Sequence, residues 1–441
     1  MAEEVNYEPG EVLEALNDKL DRDFGNAVKS SVISAIAVAA GLPKVNHLNG
    51  EWLFGFYIDE SRSDPYEMVQ YLKGTDNMLY SPAKMNFNQD KFEIGSWKDA
   101  PFMPKPCMLR KDGSVDYYLN PDDYTRKEDG SASDVSNTAY KGNAMVQWPC
   151  IYSYHYKEGN RIIFLYSNKK LNDNFECYPC KKADGSYASS FYTPCYEGTI
   201  ISNIMRSMST GGKPTCSKTS AQEMTAARAN GDGWDVTNQG DEDLIWGLAV
   251  MLFKNLNLQV ALGYGATAAS SASSSALTVN TGACNKKGMF YGTASASSFG
   301  IKLFGMEQWY GQRWRRHNGL LLINGVYHVK MTKGVQDGST SKDFNDIGSG
   351  YINTGISAPS AKESYIKQMA VTPYGLLPVA VGGSSTTYYS DGMWSNLSGT
   401  MKALRGGPVD NGLLDGVSAL TVNSGPSITH WNYGASLSYH L

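Results

Sequence analysis

Charged side chains almost vanish from the end of this chain. Between Val371 and Leu441 the only ones are Asp391, Lys402, Arg405, Asp410 and Asp415. Such scarcity argues against a cleft built on paired carboxylates or on a general base. Basic runs are missing as well. The 39 Lys and Arg are offset by 43 Asp and Glu, for a net charge of −4, so no nucleic-acid footprint is expected. Cysteine is sparse and unpatterned: Cys107, Cys150, Cys177, Cys180, Cys195, Cys216 and Cys284 make an odd set at irregular spacing. This is unlike a secreted disulfide framework and suits synthesis in a reducing cytoplasm. Long apolar runs are absent too. Val32–Leu42 is too short to cross a bilayer, and Met1-Ala2-Glu3-Glu4 lacks the basic start of a signal peptide. Membrane insertion is not expected.

What fills the terminal region is Gly, Ser, Thr, Tyr and Asn, as in Ser384-Ser385-Thr386-Thr387-Tyr388-Tyr389-Ser390 and Trp431-Asn432-Tyr433-Gly434. Rigid amphipathic rings supply contact area and small polar residues supply adaptable hydrogen bonds, a mixture that binding surfaces favour. The whole chain, with 441 residues and 41% apolar, is long enough for two or three domains. Its 45 Gly and 28 Tyr point to many turns and aromatic strands.

Along the chain, residues 11–24 carry Leu13, Leu16 and Leu20 at helical spacing, and Val32–Ala40 extends this as a second apolar element. Strands are expected at Trp52–Ile58, Tyr117–Leu119, Ala144–Tyr156 and Arg161–Ser167, separated by proline and glycine turns. Two helices are expected. Ser220–Asn230 has a Ser cap and Glu223 three residues on, and Asp241–Asn255 carries the stripe Leu244, Ile245, Leu248, Met251 and Leu252. Ala266–Ala276 is Ser/Ala-rich and expected to be an exposed loop. Asn324-Gly325 between two apolar runs signals a hairpin.

Few constellations carry chemistry. Cys177-Tyr178-Pro179-Cys180 is a lone CxxC; no second pair at usable spacing follows, and Cys195 and Cys216 would have to complete a site from afar. Buried or unpaired thiols are therefore expected, with no metal and no cofactor. His155, His317, His328 and His430 show no triad spacing, and no catalytic residue is assigned. Arg313, Trp314, Arg315, Arg316 and His317 form a basic cluster. It suits the solvent face of a strand more than a grip on an anionic surface.

Several stretches, in this order, carry a resemblance. They are Lys105-Pro106-Cys107-Met108-Leu109, Asp116–Pro121, Gly142–Val146, Phe304–Trp309, Gly311–Arg316, Thr386–Trp394, Arg405-Gly406-Gly407 and Gly434–Ser438. Over residues 51–441 the chain resembles tail-associated, adhesin-like proteins of gut bacteriophages whose C-terminal half adopts the C-type lectin fold. That group includes the variable proteins of diversity-generating retroelements, and the fold is shared with formylglycine-generating enzymes. The Glu307/Trp309 segment and the Arg405-Gly406-Gly407 finish look like those of the lectin-fold enzymes. No cysteine lies beyond Cys284, so the copper-dependent oxidation of those enzymes is not implied. Calcium-dependent sugar binding is not implied either, because the carboxylate-and-amide loop is missing.

The resemblance implies an α+β chain: a C-type lectin fold of small twisted antiparallel sheets with two helices at 111–441, a β-rich connector at 49–110 and a helical anchor at 1–48. It implies a phage tail-tip or tail-fibre receptor-binding protein, a virion component and not an enzyme. Such a protein would recognise a bacterial surface glycan or outer-membrane protein, join other tail proteins through its N-terminus and form a homotrimer. Tyr388, Tyr389, Asp391, Trp394, Asn396, Asn411, Trp431, Asn432 and Tyr433 are the expected ligand-binding residues, with the tyrosines and asparagines exposed. The competing expectations are a structural virion component and, behind it, a polysaccharide depolymerase using Asp391, Asp410 or Asp415.

Overall fold

Alternation of large apolar side chains makes Leu53–Asp59 a strand, and it pairs antiparallel with Arg161–Ser167 along its whole length. The computed structural model describes residues 35–37, 39, 41–266, 278–295, 297–334 and 341–441. The expected helix at 11–24 and the stretch 267–276 lie outside them, as does most of the expected anchor 1–48. Of the run Val32–Ala40, residues 35–37 and 39 are helical.

The described chain is mostly β, with few helices. A four-stranded sheet runs in the order Val69–Tyr71, Leu53–Asp59, Arg161–Ser167, Tyr152–Glu158. A seven-stranded sheet places Trp234–Val236, Leu437–Tyr439, Ser190–Pro194, Gly142–Pro149, Lys105–Arg110, Val115–Asn120 and Asp123–Lys127 side by side. The largest sheet has nine strands. Its path is Ile352–Ser357, Val326–Val329, Trp314–Ile323, Thr400–Gly406, Gly416–Ser424, Gly392–Ser395, Ser364–Thr372 and Gly375–Val381, and Tyr433–Ala435 lies parallel against Trp314–Ile323. The Asn324-Gly325 hairpin forms as expected, with φ of 48° and 82° in a two-residue turn between Ile323 and Val326.

Strand pairing crosses the expected boundary at 110/111. Leu53–Asp59 belongs with Arg161–Ser167, and Lys105–Arg110 pairs with Gly142–Pro149 over six positions. One apolar cluster holds Trp52, Phe56 and Trp97 together with Leu248, Leu320 and Val422. The stretch 49–110 thus shares sheets and core with elements downstream of residue 110. The expected single strand at Ala144–Tyr156 is instead two, because the chain changes sheets at Cys150-Ile151.

Both helices are present with shifted caps. Ser220–Arg228 is capped by Thr219, not Ser220, in a reciprocal box with Gln222. Gln239–Phe253 is capped by Asn238, whose side chain accepts from Gly240 and Asp241 while Asp241 reaches back to the Asn238 N–H. Within this second helix the apolar stripe is buried, and so is every other residue except Asp243. It is an interior strut.

Candidate functional site: the outer face of the large sheet

Successive residues of a strand face opposite ways, and the nine-stranded sheet uses this to build a second apolar layer. Met393 points into the main core, whereas Trp394 points out to join Trp314, Leu404, Ala419 and Tyr433. Trp314 and Trp394 meet edge to face with ring centroids 5.1 Å apart. Leu414 packs against this group from the side. The Tyr433 hydroxyl shares a 2.8 Å hydrogen bond with Ser424 Oγ. Next to Tyr433 the exposed His430 ring stands 5.4 Å from it and 5.8 Å from Trp431, and His430 Nδ1 lies 2.5 Å from Asn432 Oδ1. Trp431 is half-buried beside Val409 and Val279.

Amide side chains border this aromatic band. Asn396 and Asn423 are exposed at one end, tied by the Asn396 N–H donating to the Val422 carbonyl at 3.0 Å. Asn411 is half-buried at the other, in the turn that leads to Leu414. Around the same region Leu397, Leu413 and Ile428 stand 41%, 45% and 48% exposed. The band's own rings are buried, so the accessible area is the half-buried Trp431, the exposed His430 and these aliphatic side chains, with amide donors and acceptors at the border. It suits recognition through stacking and hydrogen bonds.

The nine sequence-derived residues do not form one face. Trp394, Asn396, Asn411, Trp431, Asn432 and Tyr433 belong to or border the band. Tyr388, Tyr389 and Asp391 go elsewhere. The Tyr388 N–H donates to the Ser63 carbonyl at 2.7 Å, and the Lys367 ammonium sits 5.4 Å from its ring centroid. Tyr389 is fully buried, its hydroxyl 3.3 Å from Glu60 Oε1. Asp391 is buried and accepts from the Ser418 N–H at 2.7 Å, and burial pushes its carboxyl well above the usual range. The expectation that the tyrosines and asparagines are exposed therefore fails for Tyr389, Asn432 and Tyr433, all buried. These side chains complete packing against neighbouring strands, and their spacing in sequence gave no sign of which side they take.

Beneath the band lies a layer of buried charge. Arg313, Arg315 and Arg316, expected on a solvent face, are 2%, 3% and 1% exposed. Arg315 spans both oxygens of Glu242 at 2.8 and 2.9 Å and lies over the Trp309 ring at 3.6 Å. Arg316 donates to Glu223 at 2.9 Å and to the Lys218 carbonyl at 2.7 Å. The reason is topological. Both helices set a carboxylate against the strand Trp314–Ile323, and those partners sit 73 and 93 residues upstream, beyond the reach of local pattern. Burial raises the Glu223 carboxyl to about 7, with Arg316 opposing the rise. Paired in this way, Arg315 and Arg316 hold the sheet in place rather than meeting a ligand.

A separate cleft of about 820 Å³ lies among Phe92, Met103, Met289 and Phe290 with Lys286 and Lys287 at its border, and none of the nine residues lines it. Among the described residues no helix is long and apolar enough to cross a membrane. No protein-family model and no curated protein matches the sequence. Among solved structures the chain is similar to one titled Major Tropism Determinant U1 Variant. The identity is 12% over 77% of this chain and 73% of that one, with a TM-score of 0.27. A score that low does not establish a common fold, and no residue is assigned from it.

Proposed function

We propose that the chain is a receptor-binding component of a phage virion, an adhesin of the tail tip or tail fibre. Its ligand would be a bacterial surface glycan or outer-membrane protein. The observation that carries the reading is the half-buried Trp431 ring with Asn396, Asn411 and Asn423 and the exposed Leu397, Leu413 and Ile428, set around the buried rings of Trp394, Trp314 and Tyr433. Aromatic faces with amide borders stack on sugar rings and satisfy their hydroxyls, and they need no metal. Burial of Asp391 and Asp415 supports binding rather than hydrolysis, because neither carboxylate reaches solvent. The finer proposals are a lectin-type fold for the C-terminal part, attachment through residues 1–48 to other tail proteins, and a homotrimer. In that assembly, weak heads would act together, raising apparent affinity by orders of magnitude.

The test is binding of the purified protein to host cells, wild type against Asn396→Ala with Trp431→Ala. Saturable binding that disappears in a variant with an unchanged melting temperature supports the reading. Equal binding by both proteins removes the band from the site. A second reading is favoured by the depth at which Trp314, Trp394 and Tyr433 sit, each less than a tenth exposed. In it the band is a packing surface and the chain a structural virion component. A folded wild type that binds no host cell would favour that reading.

A further inference from the structure

A cysteine distant in the sequence meets the CxxC pair in the fold. The Sγ atoms of Cys150, Cys177 and Cys180 all lie within 4.8 Å of one another. Cys195 and Cys216, the downstream cysteines weighed in sequence, are not in this group, and the expectation of buried or unpaired thiols does not bring in Cys150. A tetrahedral zinc thiolate has Zn–S bonds of about 2.3 Å, which places neighbouring sulfurs about 3.8 Å apart. The three thiols therefore stand within about an ångström of that geometry, and side-chain torsion alone closes such a gap.

We propose that Cys150, Cys177 and Cys180 form a thiolate site for one zinc-class metal ion, with the fourth position taken by water on the half-exposed Cys150 side. The backbone around them is already fixed. Cys177 and Cys180 flank the turn Tyr178–Cys180, where the Cys180 N–H donates to the Cys177 carbonyl at 3.1 Å. The Cys150 N–H donates to the Ser189 carbonyl at 2.9 Å, and the Ala188 N–H to the Cys180 carbonyl at 2.8 Å. Cys177 and Cys180 are buried and Cys150 is half-buried, so one side of the triangle opens outward. The nearby carboxylate is committed elsewhere: Glu176 is held by Lys170, Lys181 and the Tyr187 hydroxyl. The donor set is therefore soft sulfur, which selects zinc over calcium or magnesium.

Binding a dication forms three metal–sulfur bonds and releases to solvent whatever protons the three thiols carried.

The position gives the ion a task. The chain leaves the seven-stranded sheet after Gly142–Pro149, builds the hairpin Tyr152–Glu158 and Arg161–Ser167 in the four-stranded sheet, and returns at Ser190–Pro194. Cys150 sits on the outgoing crossing, and Cys177 and Cys180 on the return. A metal there closes the neck of the excursion and joins the two sheets.

The experiment loads the full chain, purified under reductant and stripped of metal, with zinc or cobalt. Expected are one equivalent per chain, a thiolate-to-cobalt charge-transfer band and a melting temperature raised by several degrees. Cys150→Ser should lose the band and the thermal shift, and Cys216→Ser, outside the cluster, should keep both. Cys150 is half-exposed, so its variant folds even where Cys177→Ser does not. Substoichiometric metal with all seven thiols titratable would overturn the proposal. So would a Cys177–Cys180 disulfide in protein purified without reductant and refractory to metal after reduction.

Discussion

Trp314 and Trp394 come from different strands of one sheet and meet edge to face at 5.1 Å on the side away from the main core. Their contact fixes a platform on which Tyr433 and Leu414 rest. Replacing Trp394 with Ala leaves a void between these groups, and a loss of about 3–5 kcal/mol in folding stability is expected. Urea unfolding measures it. A cost under about 1 kcal/mol would mean that the ring is peripheral to the fold.

Residues of the band and residues outside it should respond differently. Trp431→Ala and Asn396→Ala should lower cell binding at least tenfold and leave the melting temperature near that of the wild type. Tyr389→Phe removes only the hydroxyl facing Glu60, so it should leave binding unchanged. Loss of binding in Tyr389→Phe with the fold intact would return Tyr389 to the site.

The pairing of Arg315 with Glu242 is interior, with Arg315 Nη2 donating to both carboxylate oxygens. Glu242→Ala strands a buried guanidinium, and a loss of about 3–5 kcal/mol is expected. Denaturant titration of the variant reads it directly. An exposed strand-face arginine would give a change of at most about 1 kcal/mol.

Glu307 accepts from the Gly282 and Cys284 N–H groups at 2.8 Å each, yet burial raises its carboxyl to about 7, with Lys302 opposing the rise. It holds its proton more tightly folded than unfolded. Its contribution to stability is therefore present at acid pH and lost as the pH rises from the ordinary glutamate range through about 7. Between about pH 5 and about pH 8, Glu307→Gln should lose less stability than the wild type. Parallel urea midpoints across that window would decide it, and identical slopes would refute it.

Gly406 has φ of 91°, and a Cβ there would lie 2.9 Å from the Trp309 carbonyl oxygen. Gly406→Ala should cost more than the about 1 kcal/mol of a plain left-handed glycine, because backbone blocks its relief. Thermal unfolding measures the difference, and a drop no larger than that of Gly325→Ala would contradict it.

Local pattern made much of the fold legible, and long-range partnership did not. Leu53–Asp59, Arg161–Ser167, the Asn324-Gly325 turn and both helices were readable because alternation, turn chemistry and capping are local signals. The helix starts were misplaced by one or two residues because Thr219 and Asn238 compete with their neighbours as caps. The burial of Arg315 and Arg316 was not readable, since their carboxylate partners lie on helices far upstream. The site was half legible. Amide-and-aromatic composition located the region, but Trp394 faces outward and Tyr389 inward, a choice set by register and by packing against Glu60 and Ser63. Cys150 was missed as a neighbour of Cys177 and Cys180 because the expected single strand at 144–156 concealed the change of sheet at Cys150.

The strand Leu437–Tyr439 lies between the edge strand Trp234–Val236 and Ser190–Pro194 in the seven-stranded sheet. Among the described residues no other strand bridges that seam, so the sheet stays divided until residues 437–439 have left the ribosome. Assembly of this part of the molecule waits on a segment made more than 190 residues after both of its neighbours. A product terminated before that segment is left with two open edges. Three residues thus set when this part of the molecule can close.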